Sequence, residues 1–571
     1  MIRFERCRSF RTASKRSLAA RYAALGLAVA ACAGCSGGGD RHSAGAPVAS
    51  SSAPERADPL LPLQWHLVNT GQIGDPALRL RGSPGVDLNV APAWRRGFDG
   101  RGVTVAVVDN GIEIGHEDLR PNIAPGLGFN YRTGTLDPTP PDRSASHGTM
   151  VAGVIAAARN GTGGVGVAPG AKLAGLNMLS TQYASDAVDA LGRGIADNSI
   201  AISNNSWGPD SLGMPGPIDA MLAAIVRKGV DQGRAGKGIV YVFAAGNSDL
   251  DPLEFLESSE GTPRYTSSNF YGHRPAQSLI VCAVNANGLA SSYSAYGSNL
   301  LVCAPSSESA DLAGVPPTPG ITTTEPYGRY SHTFGGTSAA APAVSGVVAL
   351  MLQANPNLTW RDVRLILART ARILPSMERD PNAQWVRTGA INAHTGKPYR
   401  YSTRYGFGLV DASAAVSYAE RFVSVGGSSQ AFWARNCNVS FREGGSAGSS
   451  EASSRTVAQT LPIRCGGQTV EFLEADITLE HPNFRALRVT LESPLGTEIV
   501  LSPEYPRCER TFQLRGESGD FCGTASFGHR YRTHAVTALD EPASGDWLLR
   551  IEDTAGTGVP VRLRSALLQI T

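Results

Sequence analysis

The sequence predicts an α/β protein with a mostly parallel sheet and helices on both faces, followed by an all-β, jelly-roll-like sandwich. Three observations carry this. The runs Val103-Thr104-Val105-Ala106-Val107-Val108 and Ile239-Val240-Tyr241-Val242-Phe243 are almost continuously apolar, as strands buried on both faces of a parallel sheet must be. Segments of small residues and valines, long enough for helices, follow a polar residue at His147 and again at Ser338. From Val425-Gly426-Gly427-Ser428-Ser429 onward the helical signals stop. Short alternating segments such as Leu487-Arg488-Val489-Thr490-Leu491 and Trp547-Leu548-Leu549-Arg550-Ile551 take over, each reading as a strand with one wet face. The stretch 443–456, rich in Gly and Ser, reads as a loop.

At 571 residues the chain exceeds one ordinary core. Lys and Arg total 51 against 49 Asp and Glu, a balance that gives no reason to expect nucleic acid as a partner. A charged fraction of 18% with 65 glycines suits a compact, turn-rich, exported protein rather than a disordered one.

The N-terminus reads as an address. Seven basic residues from Arg3 to Arg21 precede the apolar segment Tyr22 to Ala31, which is too short to span a bilayer. Val29-Ala30-Ala31-Cys32 then resembles a bacterial lipobox, with Cys32 as the lipidated first residue of the mature chain. Cleavage near Ala33 or Gly34 and lipidation at Cys35 are the alternatives. Residues 1–35 are thus expected as a lipoprotein-type signal and 36–57 as a flexible tether, giving an envelope protein anchored to the outer membrane and facing the periplasm or the surface. Beyond these segments stand Cys282, Cys303, Cys437, Cys465, Cys508 and Cys522, an even set suited to an oxidising compartment. Six cysteines allow fifteen pairings. Pairing of neighbours, 282 with 303, 437 with 465 and 508 with 522, is the expectation.

Chemistry concentrates where these elements end or begin. Asp109 ends the first buried run, on the edge where open α/β sheets place ligands. His147 and Ser338 open small-residue helices, and Pro342 reads as sitting in the first turn of its helix, where amides lack partners. A serine hydroxyl becomes a nucleophile only when a base takes its proton and an acid orients the base, and His147 and Asp109 are the types required. Asn247, after the run that ends in Gly246, can donate its amide to a developing oxyanion.

These blocks, in the order Asp, His, Asn, Ser, resemble the subtilisin-like serine proteases. The resemblance extends to the kexin and furin-like branch through Asp58-Pro59-Leu60-Leu61-Pro62-Leu63-Gln64-Trp65-His66-Leu67, Ser206-Trp207-Gly208-Pro209 and Leu358-Thr359-Trp360-Arg361-Asp362-Val363. It implies a catalytic domain over 58–425, closed by a last strand and helix in Tyr405 to Val416 with Asp411 capping the helix, and a P domain over 430–571. The implied activity is endopeptidase cleavage of polypeptide substrates by acyl transfer, with Ser206, Trp207 and Gly208 pairing with the substrate backbone. Asp210 and the acidic loop Asp249 to Glu260 leave open a choice between basic preference before the cleaved bond and broad or apolar specificity.

The resemblance also implies Ca²⁺ held by Asp58, Asp118 and Asn160 with carbonyls of the Asn160 to Gly164 turn. The family's other calcium sites would fall near Ser211, Asp251 and Ala295 and near Asn130, Asp137 and Thr139, where acidic ligands are thinned. The same turn satisfies G-x-G-x-x-G, but it leaves a helix and enters a strand, the wrong context for a dinucleotide. The family's folded inhibitory propeptide has no counterpart in the 22 residues of 36–57, so the chain folds unaided or with a separate chaperone. The alternative function is a catalytically silent surface protein that uses the scaffold for binding or adhesion; the presence of Asp109, His147, Asn247 and Ser338 together speaks against it.

Overall fold

A computed structural model of the chain describes residues 57–140, 145–181, 183–208, 220–247, 275–308, 316–374, 384–428, 437–444, 450–452, 455–481, 486–503, 512–514, 517–519, 529–556 and 558–571. The expected signal with Cys32, the pair Cys508 and Cys522, and the acidic residues Asp210 and 249–260 lie outside these.

The apolar runs form a seven-stranded sheet: β1 (Thr104–Asp109), β2 (Phe129–Asn130), β3 (Lys172–Asn177), β4 (Ile202–Asn205), β5 (Val240–Ala244), β6 (Leu279–Val284) and β7 (Val302–Pro305). Their spatial order is β2-β3-β1-β4-β5-β6-β7, and every pair is parallel. β4 to β7 are buried at every position, which is why their sequences do not alternate. The chain leaves β1 toward β3 on one side and β4 on the other, so the order reverses at the strand that ends in Asp109.

Among the described residues, six helices of eight or more residues surround the sheet: α1 (His147–Ala156), α2 (Ala184–Gly192), α3 (Ala220–Gln232), α4 (Thr337–Ala354), α5 (Trp360–Thr370) and α6 (Ala412–Ala419). α4 packs on α1 and on the sheet and is buried from Ala339 to Leu352, which its small side chains allow. α5 starts with a reciprocal capping box, in which the Thr359 amide donates to Asp362 at 2.7 Å and the Asp362 amide to the Thr359 hydroxyl at 3.2 Å. Asp411 caps α6 by accepting from the Ala414 amide at 2.8 Å.

Three expectations are corrected. Pro342 is the sixth residue of α4, past the partnerless amides, so its missing N–H leaves the Ser338 carbonyl without an intrahelical donor. The expected last strand before α6 forms only isolated bridges, at Gly406 and Leu409. Within the Gly/Ser stretch 443–456, Ser450–Ala452 pairs as a strand with Val457–Gln459.

Two hairpins follow the sheet, β8 (Ile321–Glu325) with β9 (Arg329–Phe334), which delivers the chain to α4, and β10 (Val386–Ile391) with β11 (Pro398–Tyr401). The C-terminal part is a sandwich of two antiparallel sheets. One holds β12 (Cys437–Arg442), β15 (Leu473–Glu480), β18 (His529–Ala535) and β20 (Arg562–Ile570) in the order β12-β20-β15-β18. The other holds β13 (Ser450–Ala452), β14 (Thr456–Ile463), β16 (Leu487–Glu492), β17 (Glu498–Ser502) and β19 (Gly545–Asp553) in the order β13-β14-β19-β16-β17. β14 and β15 alternate strictly between buried and half-buried residues, the signature of one face turned to the core. Disulfides join Cys282 to Cys303, which face each other across β6 and β7, and Cys437 to Cys465 in the sandwich.

Candidate active site

The Asp109 side chain is fully buried, and both its oxygens lie within hydrogen-bond distance of His147 Nδ1, at 2.9 and 3.0 Å. Oδ1 also accepts from the Asn110 amide at 2.8 Å. The imidazole is held closely because α1 starts directly against the end of β1. A Cβ on Gly148 would lie 2.2 Å from the Gly111 carbonyl oxygen and 3.0 Å from the Asp109 Cβ, so only glycine permits this approach. Burial lowers the His147 pKa, but the Asp109 charge and hydrogen bond outweigh it and leave the imidazole above its ordinary value. The His147 side chain is nevertheless 32% exposed, enough for one edge to face a ligand.

Ser338 is the second residue of α4, preceded by Gly336 in the left-handed region at φ 73°. Its hydroxyl donates to the Ser206 carbonyl at 3.3 Å rather than to His147. In return the Ser206 hydroxyl donates to the Ser338 carbonyl at 3.1 Å, the acceptor that Pro342 left unpartnered. The Phe334 ring packs edge-on to the His147 imidazole with centroids 5.6 Å apart, linking the Ser338 turn to the Asp109–His147 pair.

Asn247 follows β5 and turns its oxygen toward α4, accepting from the Thr337 amide and the Thr337 hydroxyl, both at 2.9 Å. Thr337 Oγ1 itself accepts from the Gly246 amide at 3.1 Å. With its oxygen so engaged, Asn247 presents Nδ2 beside Gly336, 3.0 Å from where a Cβ would stand. Thr337 was missed in the sequence, although a threonine between a Gly-Gly turn and the serine is a usable signal. Of the expected substrate-binding residues, Ser206 is buried on Ser338, Trp207 packs its ring on Phe243 with centroids 5.8 Å apart, and Gly208 is exposed.

A second polar cluster lies at the far end of α1. Asp58 Oδ1 accepts from the Asn160 and Gly161 amides at 3.0 and 2.8 Å. The Asn160 side chain donates to Asp118 Oδ1 at 3.1 Å, and the Gly164 amide to Asp118 Oδ2 at 2.9 Å. Asp118 is fully buried, and burial pushes its carboxyl up to about 6 against these hydrogen bonds and the nearby Tyr330 and His116. Asn160 thus links two buried carboxylates, Asp58 through its backbone N–H and Asp118 through its side chain, and their oxygens, with the Asn160 side-chain oxygen, are donors that a hard cation would suit. Among the described residues no group of three or more His, Cys, Asp and Glu comes together as a metal cluster. Asn130 and Asp137 cap local turns, accepting from the Arg132 and Thr139 amides at 3.1 and 2.9 Å.

Comparison with known proteins agrees with this architecture. Residues 100–408 match the subtilase family model, and residues 470–570 match the proprotein convertase P-domain. The chain is 31% identical over 515 residues to neuroendocrine convertase 2 of Bos taurus, covering 86% of this chain and 70% of that protein. It is 32% identical over 517 residues to furin of Rattus norvegicus, covering 88% of this chain and 56% of that protein. The solved serine protease of Aeromonas sobria, in complex with its chaperone ORF2, superposes with a TM-score of 0.72 at 27% identity, covering 90% of this chain and 95% of that one. The chain therefore belongs to the subtilase family, in its proprotein-convertase type with a P domain, and is a serine endopeptidase.

Proposed function

We propose that Ser338, His147 and Asp109 act as the catalytic triad of an exported endopeptidase, with 58–425 as its catalytic domain and 430–571 as its P domain. The observation that carries this is the buried Asp109 carboxylate on His147 Nδ1, which fixes the tautomer whose other nitrogen can accept a proton. For the reaction the Ser338 hydroxyl must leave the Ser206 carbonyl and turn to His147 Nε2. The oxygen then attacks the scissile carbonyl as the imidazole takes its proton, and the imidazolium, stabilised by Asp109, returns it to the leaving amine. Water hydrolyses the acyl-enzyme by the same route. Asn247 Nδ2 and the Ser338 amide donate to the tetrahedral oxyanion. The substrate backbone lies against Ser206, Trp207 and Gly208 as an added strand. Labelling with a fluorophosphonate and release of product from a peptide test this: both should vanish in Ser338→Ala, and retention of either at the wild-type level removes the assignment.

The finer readings have separate supports. Likeness to furin and neuroendocrine convertase 2 favours basic residues before the cleaved bond, which a peptide-library cleavage profile would reject by showing apolar residues there. Asp58, Asp118 and Asn160 suit Ca²⁺, which when bound would neutralise the charge of the Asp118 carboxylate that burial otherwise disfavours as an anion. Chelation should therefore lower Tm, and an unchanged Tm with no calcium in the purified protein would exclude the site. The basic leader and lipobox favour export with lipidation at Cys32, detectable by fatty-acid incorporation that is lost in Cys32→Ala. The Aeromonas protease's chaperone complex favours assisted folding, and full refolding of the purified chain alone would argue against it.

A further inference from the structure

The turn that presents Ser338 has no side chains of its own at Gly335 and Gly336, so whatever holds it must come from elsewhere in the fold. Asn247 holds one amide, that of Thr337. The remaining polar groups at Gly336 are taken by two hydroxyls. Its N–H donates to the Tyr293 hydroxyl at 3.1 Å, and its carbonyl accepts from the Ser306 hydroxyl at 2.8 Å as well as from the Ala339 amide of the first helical turn at 3.1 Å. Tyr293 and Ser306 also touch each other, oxygen to oxygen, at 2.8 Å, and the Tyr293 hydroxyl is 2.8 Å from the Ser307 carbonyl. Proton counting is consistent: Ser306 gives its hydrogen to Gly336, Tyr293 gives its hydrogen to Ser307 or Ser306, and the phenol oxygen keeps a lone pair for the Gly336 amide.

Both groups are mounted on rigid structure. Ser306 follows β7 and donates its amide to the Val284 carbonyl at the end of β6 at 2.7 Å. The loop carrying Tyr293 is tied to β6 through the Ser291 amide on the Ala283 carbonyl at 3.0 Å and the Ala283 amide on the Ser294 hydroxyl at 3.1 Å. The Cys282–Cys303 disulfide ties β6 to β7 just below. Tyr293 is 8% exposed and Ser306 fully buried, and burial keeps the phenol in its neutral, donating form.

We propose that Tyr293 and Ser306 are positioning residues, a hydroxyl clamp that fixes the peptide groups on either side of Gly336 and so sets where Ser338 Oγ and the Ser338 amide stand. This rests on the reading of Ser338 as the nucleophile. Neither residue meets the substrate; they act through the geometry of the turn, and displacement of a reacting group by a fraction of an ångström is costly.

The test compares the full-length wild type with Tyr293→Phe, Ser306→Ala, the double variant and Ser338→Ala. Three quantities are read: the rate of fluorophosphonate labelling, kcat and KM on one peptide, and Tm. Each single variant should slow labelling and lower kcat by about 10- to 100-fold with KM within about twofold. The double variant should fall less than the product of the singles, because both hydroxyls hold the same residue. A wild type that labels, together with single variants whose kcat stays within about twofold of it, overturns the clamp, as does a loss confined to Tm or to KM. A wild type that does not label overturns the nucleophile assignment and the clamp with it. Should Ser306→Ala fold poorly, Tyr293→Phe decides alone, since it removes one oxygen and keeps the ring.

Discussion

The α/β region and the C-terminal sandwich use the same raw material, buried apolar strands, to opposite ends. In the sheet of β1 to β7 the strands run parallel, so their carboxyl ends share one edge. Asp109 and Asn247, from strands well apart in the sequence, reach that edge together. In the sandwich, neighbouring strands are antiparallel and alternate, so polar residues spread over the outer faces and, among the described residues, no comparable gathering of polar strand-end groups results. One arrangement concentrates chemistry, and the other covers surface.

The seam between them shows what is covered. Phe472, Val536 and Leu539 of the sandwich region belong to the core of the α/β region. Arg364, buried in α5, lies with its guanidinium 5.0 Å from the Phe472 ring centre. Around this apolar centre Arg369 pairs with Asp540, which also accepts from the Tyr399 hydroxyl at 2.6 Å, and Arg361 pairs with Glu471. Glu541, fully buried, accepts from the Gly389 amide at 2.9 Å. The sandwich thus completes the hydrophobic core of its neighbour.

If the two regions divide labour in this way, their variants should separate activity from stability. The largest effect is expected at the sheet edge: Asn247→Ala should lower kcat by about 10²- to 10³-fold with little change in KM, as measured by steady-state kinetics. Next comes the seam. Arg369→Ala leaves Asp540 half-buried without its cation and should cost about 2–4 kcal/mol, read as a lower Tm with kcat preserved at moderate temperature. A fall in kcat at unchanged Tm would break the comparison by making the seam part of the catalytic device. Replacing both Cys437 and Cys465 by Ser should cost about 2–3 kcal/mol and again spare kcat, judged by denaturant titration.

The smallest effect is a pH shift. If His147 is the base proposed above, catalysis needs it neutral, and its pKa is raised, so the acid limb of kcat/KM should turn over above the ordinary imidazole value of 6.5 and fall about tenfold per pH unit below that point. A limb centred below 6.5 would contradict the Asp109 coupling. Stability has a separate acid dependence. His66, 1% exposed, is pushed down to about 3 by burial, so it is neutral in the native state and takes a proton on unfolding below 6.5. Its contribution is therefore complete above pH 6.5 and is lost as pH falls toward 3.

Much of the site was legible because strand ends and helix starts leave local marks. Asp109 closes an apolar run, and His147 and Ser338 each open a run of small residues, so the placing of these groups at element ends follows from a few neighbours in the chain. Pro342 shows the limit of such reading. A proline near a helix start reads as harmless, yet at the sixth position it frees the Ser338 carbonyl for Ser206, 132 residues away. Tyr293 and Ser306 left no mark at all, since a tyrosine and serines in an apolar, Ser-rich stretch look like ordinary core and turn residues. Asp58, Asp118 and Asn160 were readable only through family likeness, because no local pattern ties residue 58 to residue 160.

By itself the sequence determined the layer architecture and the residue types at the strand ends, because burial on one or two faces dictates periodicity and periodicity survives in a linear string. Tertiary structure alone decided which hydroxyl holds which peptide group: the Gly336 turn takes its partners from 247, 293 and 306, and the seam pairs 369 with 540. Hydrogen bonds are short and directional, so their partners are fixed by the folded positions of distant segments, which no local pattern encodes.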